Sequence, residues 1–177
     1  MTRLLLHTCC APCTTYVHRW FKESEFEVEG FFYNPNIQPT EEYQKRRRCM
    51  EYYSALSGLI VTYIENDREH EPGNCYLCYE NRFRHAAQFA KANRFDLFTT
   101  TLLVSPYQKH DLIAEIGKKI EREEGIGFLY HDLREGYYKG VELAKRYNLY
   151  RQKYCGCLAS LPAPTPYGAG PTVEVKK

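Results

Sequence analysis

Residues 3–13 have the sequence Arg-Leu-Leu-Leu-His-Thr-Cys-Cys-Ala-Pro-Cys, an apolar run that ends among cysteines. The run from Arg3 to Thr8 has the length and composition of a short buried strand. A helix is expected after Cys9–Cys13 and through Trp20, so three cysteines occupy the turn between the first strand and the first helix. This turn contains no glycine, whereas phosphate-binding loops at this position are glycine-rich. The sequence therefore argues against nucleotide binding at the turn.

The order of strand, loop and helix recurs along the chain, without an internal repeat. Glu25–Tyr33 alternates between apolar and acidic residues as a second strand, which Asn34-Pro35-Asn36 ends. Thr40 is expected to cap the next helix, and Asn66–Asn74 is expected to be a loop. The other predicted strands cover 59–65, 97–101 and 127–130, and the other predicted helices cover about 40–56, 76–93, 113–120 and 137–144. This alternation predicts an α/β fold of three layers, a parallel sheet with helices on both faces.

The length of 177 residues fits one domain, which we expect to span 1–160, followed by a Pro- and Gly-rich tail at 161–177. A composition of 44% apolar and 26% charged residues excludes a disordered polymer, a collagen-like repeat and a membrane protein. The first residues lack the roughly 7 to 15 apolar residues of an export signal. We therefore expect a cytoplasmic protein without a membrane partner. The net charge of +2 neither requires nor forbids a nucleic-acid partner.

Seven of the eight cysteines fall into three groups along the chain: Cys9, Cys10 and Cys13, then Cys75 and Cys78, then Cys155 and Cys157. The first two groups each contain a C-x-x-C pair, a spacing at which two thiolates can bind one metal or cluster. In a cytosolic chain these pairs predict a metal centre. Four-thiolate zinc would use both pairs but leave Cys9 and the third group without a role. An iron–sulfur cluster together with a second redox or metal function would give a role to these remaining cysteines as well.

Two further interpretations concern the cysteines outside the C-x-x-C pairs. At the spacing of Cys155-Gly156-Cys157 a strained, reducible disulfide can form, and two thiolates at this spacing can equally bind a metal. Cys49 lies alone in the middle of a predicted helix, beside Arg48, and is interpreted as an ordinary residue without a chemical role.

With these residues in view, the chain resembles the QueH family of epoxyqueuosine reductases, the cobalamin-independent enzymes of tRNA queuosine synthesis. The resemblance spans about residues 4–160 and rests on five blocks in the same order: Leu5–Cys13, Tyr33–Ile37, Cys75–Tyr79, Thr99–Leu103 with Ser105–Gln108, and Tyr150–Cys157. It implies a fold similar to the adenine nucleotide alpha hydrolase-like (HUP) fold, with an iron–sulfur cluster in place of the nucleotide. It also implies reduction of the epoxide on the cyclopentane ring of epoxyqueuosine at the tRNA wobble base, giving queuosine and water.

The resemblance also implies roles for individual cysteines. Carried over by motif, the ligands of a [4Fe-4S] cluster are Cys9, Cys10, Cys75 and Cys78. The cysteines left for a second, catalytic role are Cys13, Cys155 and Cys157. Either Cys155 and Cys157 cycle as a redox-active disulfide, or spare thiols and an acid such as Asp132 hold one further iron beside the cluster.

Reduction of an epoxide sets requirements that other residues must meet. It takes two electrons and two protons, whereas a [4Fe-4S] cluster normally passes one electron at a time. A second redox partner and a low-potential electron donor are therefore expected. An acid must also protonate the oxygen as it leaves. The donors suggested by their place in the motifs are Tyr107, His7 and Tyr154.

The partner implied by the resemblance is tRNA with epoxyqueuosine at the wobble position, whose unpaired bases can stack on aromatic side chains. Basic residues that could contact its phosphates are Lys45–Arg48, Arg82, Arg84, Arg151 and Lys153, although a run of charges on a helix is usually its solvated face. Two other functions stay open: a non-catalytic zinc-stabilised RNA-binding module, and a thiol-based tRNA sulfur-transfer protein.

Overall fold

The computed structural model describes residues 1–65 and 71–161. The predicted tail therefore lies outside the described residues from position 162 onwards, as do residues 66–70 of the loop expected at 66–74. The division into a domain at 1–160 and a tail stays a prediction. Among the helices of the described residues, none is both long and apolar enough to cross a membrane.

Five strands and five α-helices alternate along the chain. The strands are β1 (Thr2–His7), β2 (Phe26–Phe32), β3 (Val61–Tyr63), β4 (Leu97–Thr100) and β5 (Gly127–Phe128). The helices are α1 (Ala11–Glu23), α2 (Thr40–Ser57), α3 (Cys75–Ala92), α4 (His110–Glu124) and α5 (Tyr137–Arg146). Every predicted element is present. The N-cap of α2 is Pro39 rather than Thr40, which is already helical.

The five strands form one parallel sheet in the order β3-β2-β1-β4-β5. From β1 the chain builds the sheet outward through β2 and β3, and then returns to the other side of β1 with β4. The strand order thus reverses between β1 and β4, where His7 is in register with both Phe31 and Thr100. In open α/β sheets such a switch point is where ligands bind, beyond the carboxyl ends of the strands.

Helices cover both faces of the sheet, as the alternation of strands and helices predicts. Leu5 packs into the core formed with α3 and α4, whereas Leu4 and Leu6 face the opposite core with α1. The helices α2 and α5 pack on that same opposite side, around Phe32 and Met50. All three leucines are fully buried, and burial of each stabilises the fold by about 1.5–3 kcal/mol. The apolar start of β1 therefore anchors the turn that carries the first cysteines.

Candidate metal centre at the switch point

Three thiols meet directly beyond the end of β1. The sulfurs of Cys9, Cys10 and Cys13 all lie within 4.8 Å of one another, and this is the only group of three or more potential metal ligands among the described residues. Cys10 is the N-cap of α1, and its sulfur accepts a hydrogen bond from the Cys13 amide at 3.5 Å. The first turn of α1 therefore brings Cys13 back over Cys10. A helix N-terminus also favours negative charge, which suits thiolates.

The three thiols differ in how readily they lose a proton. Hydrogen bonds from Cys10 and Cys13 hold the pKa of Cys9 well below its usual range, and the Thr101 hydroxyl, 3.1 Å from the Cys9 sulfur, adds to this effect. Burial raises the pKa of Cys10. The neighbouring sulfurs and burial likewise raise the pKa of Cys13. Three thiolates this close require a compensating cation, which is what a bound metal supplies.

Arg82 connects the first thiol group to the second. It projects from α3, is only 3% exposed, and lies 3.7 Å from the Cys78 sulfur and 3.0 Å from Asn34 Oδ1. Its positive charge also lowers the pKa of Cys9. The expectation that Arg82 contacts phosphate is therefore wrong, because its guanidinium lies inside the molecule among sulfurs.

The second and third cysteine groups lie near each other. Cys75 and Cys78 occupy the first turn of α3, which Asn74 caps. Burial raises the pKa of Cys78, and the charges of Cys155 and Cys157 raise it further. The third group is therefore close enough to Cys78 to affect its protonation. No ligand set of three or more joins Cys75 or Cys78 to other residues within the described parts of the chain.

The segment that carries Cys155 and Cys157 is held by its backbone. Arg46, only 2% exposed, donates hydrogen bonds to the carbonyls of Tyr154 (2.8 Å) and Cys155 (2.9 Å). Gly156 lies between the cysteines at φ +114°, where a Cβ atom would also come within 2.9 Å of an Ile37 side-chain carbon. Glycine is therefore required at the centre of this segment.

The sulfurs of this segment have hydrogen-bonding partners of their own. Cys157 Sγ accepts a hydrogen bond from the Gly73 amide at 3.3 Å, and Cys155 Sγ lies 2.9 Å from the Ser160 hydroxyl. All eight cysteines are free thiols here. Cys49 is apart from these groups, and its thiol contacts the Tyr150 carbonyl at 3.8 Å.

The structure places the other predicted site residues in different surroundings. Asp132 forms an exposed ion pair with Arg134 at 2.5 Å, and hydrogen bonds from that arginine lower its pKa to about 2. Tyr107 is 60% exposed and lies edge-on to Tyr137, 5.8 Å between ring centres. The roles assigned to Asp132 and Tyr107 stay predictions.

His7 and Tyr154 are both engaged with backbone carbonyls. The His7 ring nitrogens lie 2.9 Å from Thr100 Oγ1 and 3.1 Å from the Tyr33 carbonyl, and burial lowers the His7 pKa to about 3. His7 is therefore a neutral core histidine that joins β1 to its neighbours. The Tyr154 hydroxyl donates to the Gln38 carbonyl.

Two residues that contact the cysteine segments are absent from the candidates named from sequence. Glu42 pairs with Arg46 at 2.8 Å and is also buried. Gln152 donates from Nε2 to the Cys10 sulfur at 2.7 Å. Gln152 belongs to one of the blocks that carry the family resemblance, so a signal was present. For Glu42 the signal is its four-residue spacing from Arg46, which puts both on one helix face.

The arrangement suits a thiolate-bound metal or cluster. Its donors are soft sulfurs, which bind iron–sulfur clusters and zinc, and N–H groups from Cys13, Gly73, Gln152 and Arg82 surround them. Hydrogen bonds to the sulfurs are among the features that set the potential of such centres. The three thiols at the switch point therefore fit a bound metal, whereas their grouping with Cys75 and Cys78 stays a prediction.

Comparisons with known proteins show which family the chain belongs to. A sequence profile of the family "Epoxyqueuosine reductase QueH" matches residues 4–163. The chain is 37% identical to the epoxyqueuosine reductase QueH of Thermotoga maritima, over 91% of each chain. It is 35% identical to the one of Dehalococcoides mccartyi, over 89% of this chain and 92% of the relative.

Among solved structures, the fold is similar to the U34-tRNA thiolase NcsA of Methanococcus maripaludis, solved with its [4Fe-4S] cluster. The TM-score is 0.56 at 10% identity, covering 95% of this chain and 60% of the other. This likeness supports the HUP-like fold expected from the sequence. Because the match to the family covers nearly the whole described chain, the protein belongs to the epoxyqueuosine reductase QueH family.

Proposed function

We propose that this protein is an oxidoreductase that reduces the epoxide of epoxyqueuosine at the tRNA wobble position. The observation that carries the proposal is the group of three thiols at the sheet's switch point, in a chain whose relatives are named for this reaction. The balance is one epoxide, two electrons and two protons, giving the carbon–carbon double bond of queuosine and water. Both carbon–oxygen bonds of the epoxide break, and a low-potential donor supplies the electrons.

We further propose that the bound group is a [4Fe-4S] cluster. The proposed cluster ligands are Cys9, Cys10, Cys75 and Cys78. When bound, the cluster supplies electrons at low potential. Cys13, Cys155 and Cys157 then serve the second role. Either Cys155 and Cys157 cycle as a redox-active disulfide, or some of these thiols and Asp132 hold one further iron. Tyr107 remains the proposed proton donor, since its exposed ring adjoins the thiols through Tyr137.

The reaction is tested with the anaerobically purified protein. Epoxyqueuosine-containing tRNA is incubated with it and a low-potential reductant, and the digested nucleosides are analysed by mass spectrometry. We expect conversion with the loss of one oxygen. A colourless zinc protein that leaves the nucleoside unchanged would contradict the proposal and favour a zinc-stabilised RNA-binding module. Incorporation of sulfur would instead indicate tRNA thiolation.

The division of labour among the cysteines gives a second test. Cys75→Ala should lose the broad absorbance near about 400 nm, which arises from thiolate-to-iron charge transfer, together with activity. Cys157→Ala should keep the colour and lose turnover. Cys49→Ala is the matched control and should keep both, because the Cys49 thiol contacts the Tyr150 carbonyl and belongs to none of the three cysteine groups. Loss of colour in Cys157→Ala would show that the ligands are divided differently.

A further inference from the structure

A small cavity opens beside Cys13, on the α5 side of the thiol group. Its volume is about 130 Å³, and its walls include Cys13, Tyr137, Val141 and Gln152. Pockets for whole drug-sized ligands are about 300–1,000 Å³. A cavity of about 150 Å³ in another protein holds one benzene molecule. The space beside Cys13 therefore fits one small ring and excludes an entire nucleoside.

Gln152, in one wall of this cavity, has an unpaired hydrogen-bond acceptor. Gln152 donates its Nε2 to the Cys10 sulfur, while its Oε1 is buried and has no partner among the described residues. A buried acceptor left unpaired destabilises the folded protein, because it has lost its hydrogen bonds to water. A ligand hydroxyl that donates to Oε1 would recover this cost. The cavity is thus suited to a ring that carries hydroxyl groups.

The mouth of the cavity carries aromatic rings and a cation. Tyr137 lines the cavity and contacts the rings of Tyr107 and Tyr138 at 5.8 and 5.5 Å between centres. Both of these neighbours are 60% exposed. Arg151, also exposed, lies at the same cavity. Exposed tyrosines stack on unpaired bases, and arginine pairs with phosphate, so this surface suits a single-stranded nucleotide.

The other side of the thiol centre is less suited to RNA. A wider groove of about 630 Å³ runs past Cys78, and Glu71 and Glu80 are among the residues that line it. Among the described residues that line it, the one arginine is Arg84, which is already paired with three carboxylates at 2.6 to 3.1 Å. The guanidinium is therefore neutralised, which removes Arg84 from the expected phosphate contacts. Two acidic side chains would repel a phosphate backbone at this groove.

We propose that the hydroxylated ring of the substrate enters the cavity beside Cys13, while its base stacks on the cluster of Tyr107, Tyr137 and Tyr138. The inference rests on the proposed function for the identity of the ring. It assigns the substrate to the Cys13 side of the centre rather than the Cys78 side, and it makes Gln152 the residue that orients the ring through a hydroxyl group.

The test compares binding of two anticodon stem-loop RNAs, one with epoxyqueuosine and one with guanosine at the wobble position, by fluorescence anisotropy with the anaerobic holoprotein. The wild type should bind the modified RNA more tightly. Val141→Phe fills the cavity and should bring the ratio of the two affinities to about one, with turnover at least about tenfold lower. Val141→Ala leaves the cavity open and should keep the preference. Retention of the preference by Val141→Phe would overturn the proposal.

Further variants at two positions, Tyr138 and Leu77, keep the test decisive if Val141→Phe fails to fold. Tyr138→Ala removes an exposed ring and should weaken binding of both RNAs by about fivefold or more, as for loss of one stacked base, whereas Tyr138→Phe should not. Leu77→Trp narrows the groove beside Cys78 and should leave the preference unchanged. If Leu77→Trp abolishes it instead, the ring enters on the Cys78 side and the proposal is wrong.

The outcomes for this site and for the reaction are separable. A wild type that prefers the modified RNA but does not reduce it would refute the proposed function and support the site. A wild type that reduces it while Val141→Phe and Tyr138→Ala bind and turn over normally would support the function and refute the site.

Discussion

Arg46 holds the last cysteine pair in place through backbone carbonyls. Its guanidinium spans Glu42, Tyr154 and Cys155, with the Tyr154 ring 5.2 Å away. The Tyr150 hydroxyl donates to the second Glu42 oxygen at 2.6 Å. Lysine has no planar fork with which to reach three acceptors at once. Arginine is therefore required at this position.

A double-mutant cycle measures this contact. Arg46→Met leaves Glu42 charged and buried, so we expect the free energy of unfolding to fall by about 3–5 kcal/mol. Adding Glu42→Gln should recover part of the loss, because the two side chains interact directly. Urea unfolding followed by circular dichroism measures both. Arg47→Met, which breaks surface ion pairs and a contact with the Tyr63 ring at 5.4 Å, should cost less than about 2 kcal/mol. An equal loss in both arginine variants would contradict a specific role for Arg46.

His18 makes stability depend on pH. It lies in α1 with Nδ1 3.1 Å from the Tyr53 hydroxyl, and burial, with some help from Lys22, lowers its pKa to about 4 from the usual 6.5. Above about pH 6.5 both folded and unfolded states are neutral at this site. Below it the unfolded chain binds the proton first, so stability falls as the pH drops towards 4.

This dependence is measurable by substitution. Between pH 7 and pH 5 the wild type should lose on the order of 2 kcal/mol more of its unfolding free energy than His18→Gln. Urea midpoints of both proteins at the two pH values give the difference. The same loss in both proteins would assign the acid sensitivity to other groups.

Sequence reasoning at the residue scale located the cysteines but not their supports. The C-x-x-C spacing can be recognised in the sequence itself. Whether Arg46 points inward depends instead on which face of α2 is buried. The spacing of Tyr43, Met50 and Tyr53 indicates which face of α2 is buried, and Arg46 lies on that face. The run of four basic residues from Lys45 obscured it, because such runs are usually solvated. The contact of Gln152 with Cys10 joins residues 142 positions apart, which no local pattern predicts.

At the scale of elements, α4 and β5 fit together through a glycine. A Cβ atom on Gly117 would lie 2.0 Å from the Phe128 ring, whereas one on Gly140 in α5 would meet nothing closer than 3.6 Å. Helix propensity alone favours alanine at both sites by about 1 kcal/mol. At Gly117 the clash has to be relieved by displacing Phe128 from the core.

The two glycines therefore form a matched pair for substitution. Gly140→Ala should raise the free energy of unfolding by about 0.5–1 kcal/mol. Gly117→Ala should lower it by about 1–3 kcal/mol, because overpacking outweighs the gain in propensity. Thermal unfolding shows the opposite signs directly. Stabilisation by Gly117→Ala would mean that Phe128 can move away without cost.

Elements were easier to predict from sequence than their ends. The apolar runs of β1 and β4 and the stripes of α3 and α4 follow from periodicity, since burial on a sheet or helix face dictates it. The third strand is shorter than 59–65 because only Val61–Tyr63 pairs with β2. The alternation of strands and helices predicts the fold class but not the order of the strands in the sheet. Only the structure shows that the chain returns past β1 to form β4.

At the scale of the whole molecule, the centre joins segments that are remote in the chain. The turn after β1, the start of α3 and the segment after α5 meet around Arg82, Cys10 and Cys78. A metal that binds these thiols binds only the folded state. Its removal should therefore destabilise the protein.

Anaerobic chelation tests this coupling. We expect the unfolding temperature to fall by at least about 5 °C, given about 2–4 °C per kcal/mol for a chain of this size. Hydrogen exchange should rise mainly at residues 9–13, 73–78 and 152–157. Cys75→Ala, which already lacks the cluster under the proposed ligand set, should show no further loss. A uniform rise in exchange would indicate that the metal stabilises the protein as a whole rather than these segments.

The contact between Gln152 and Cys10 has a consequence for synthesis. The ribosome delivers Cys10 142 residues before Gln152. Domains generally fold as units. The thiols that follow β1 therefore stay accessible until α5 and the Cys155–Cys157 segment have left the ribosome. A metal bound at Cys9, Cys10 and Cys13 would therefore gain its complete surroundings only after these later segments have been synthesised.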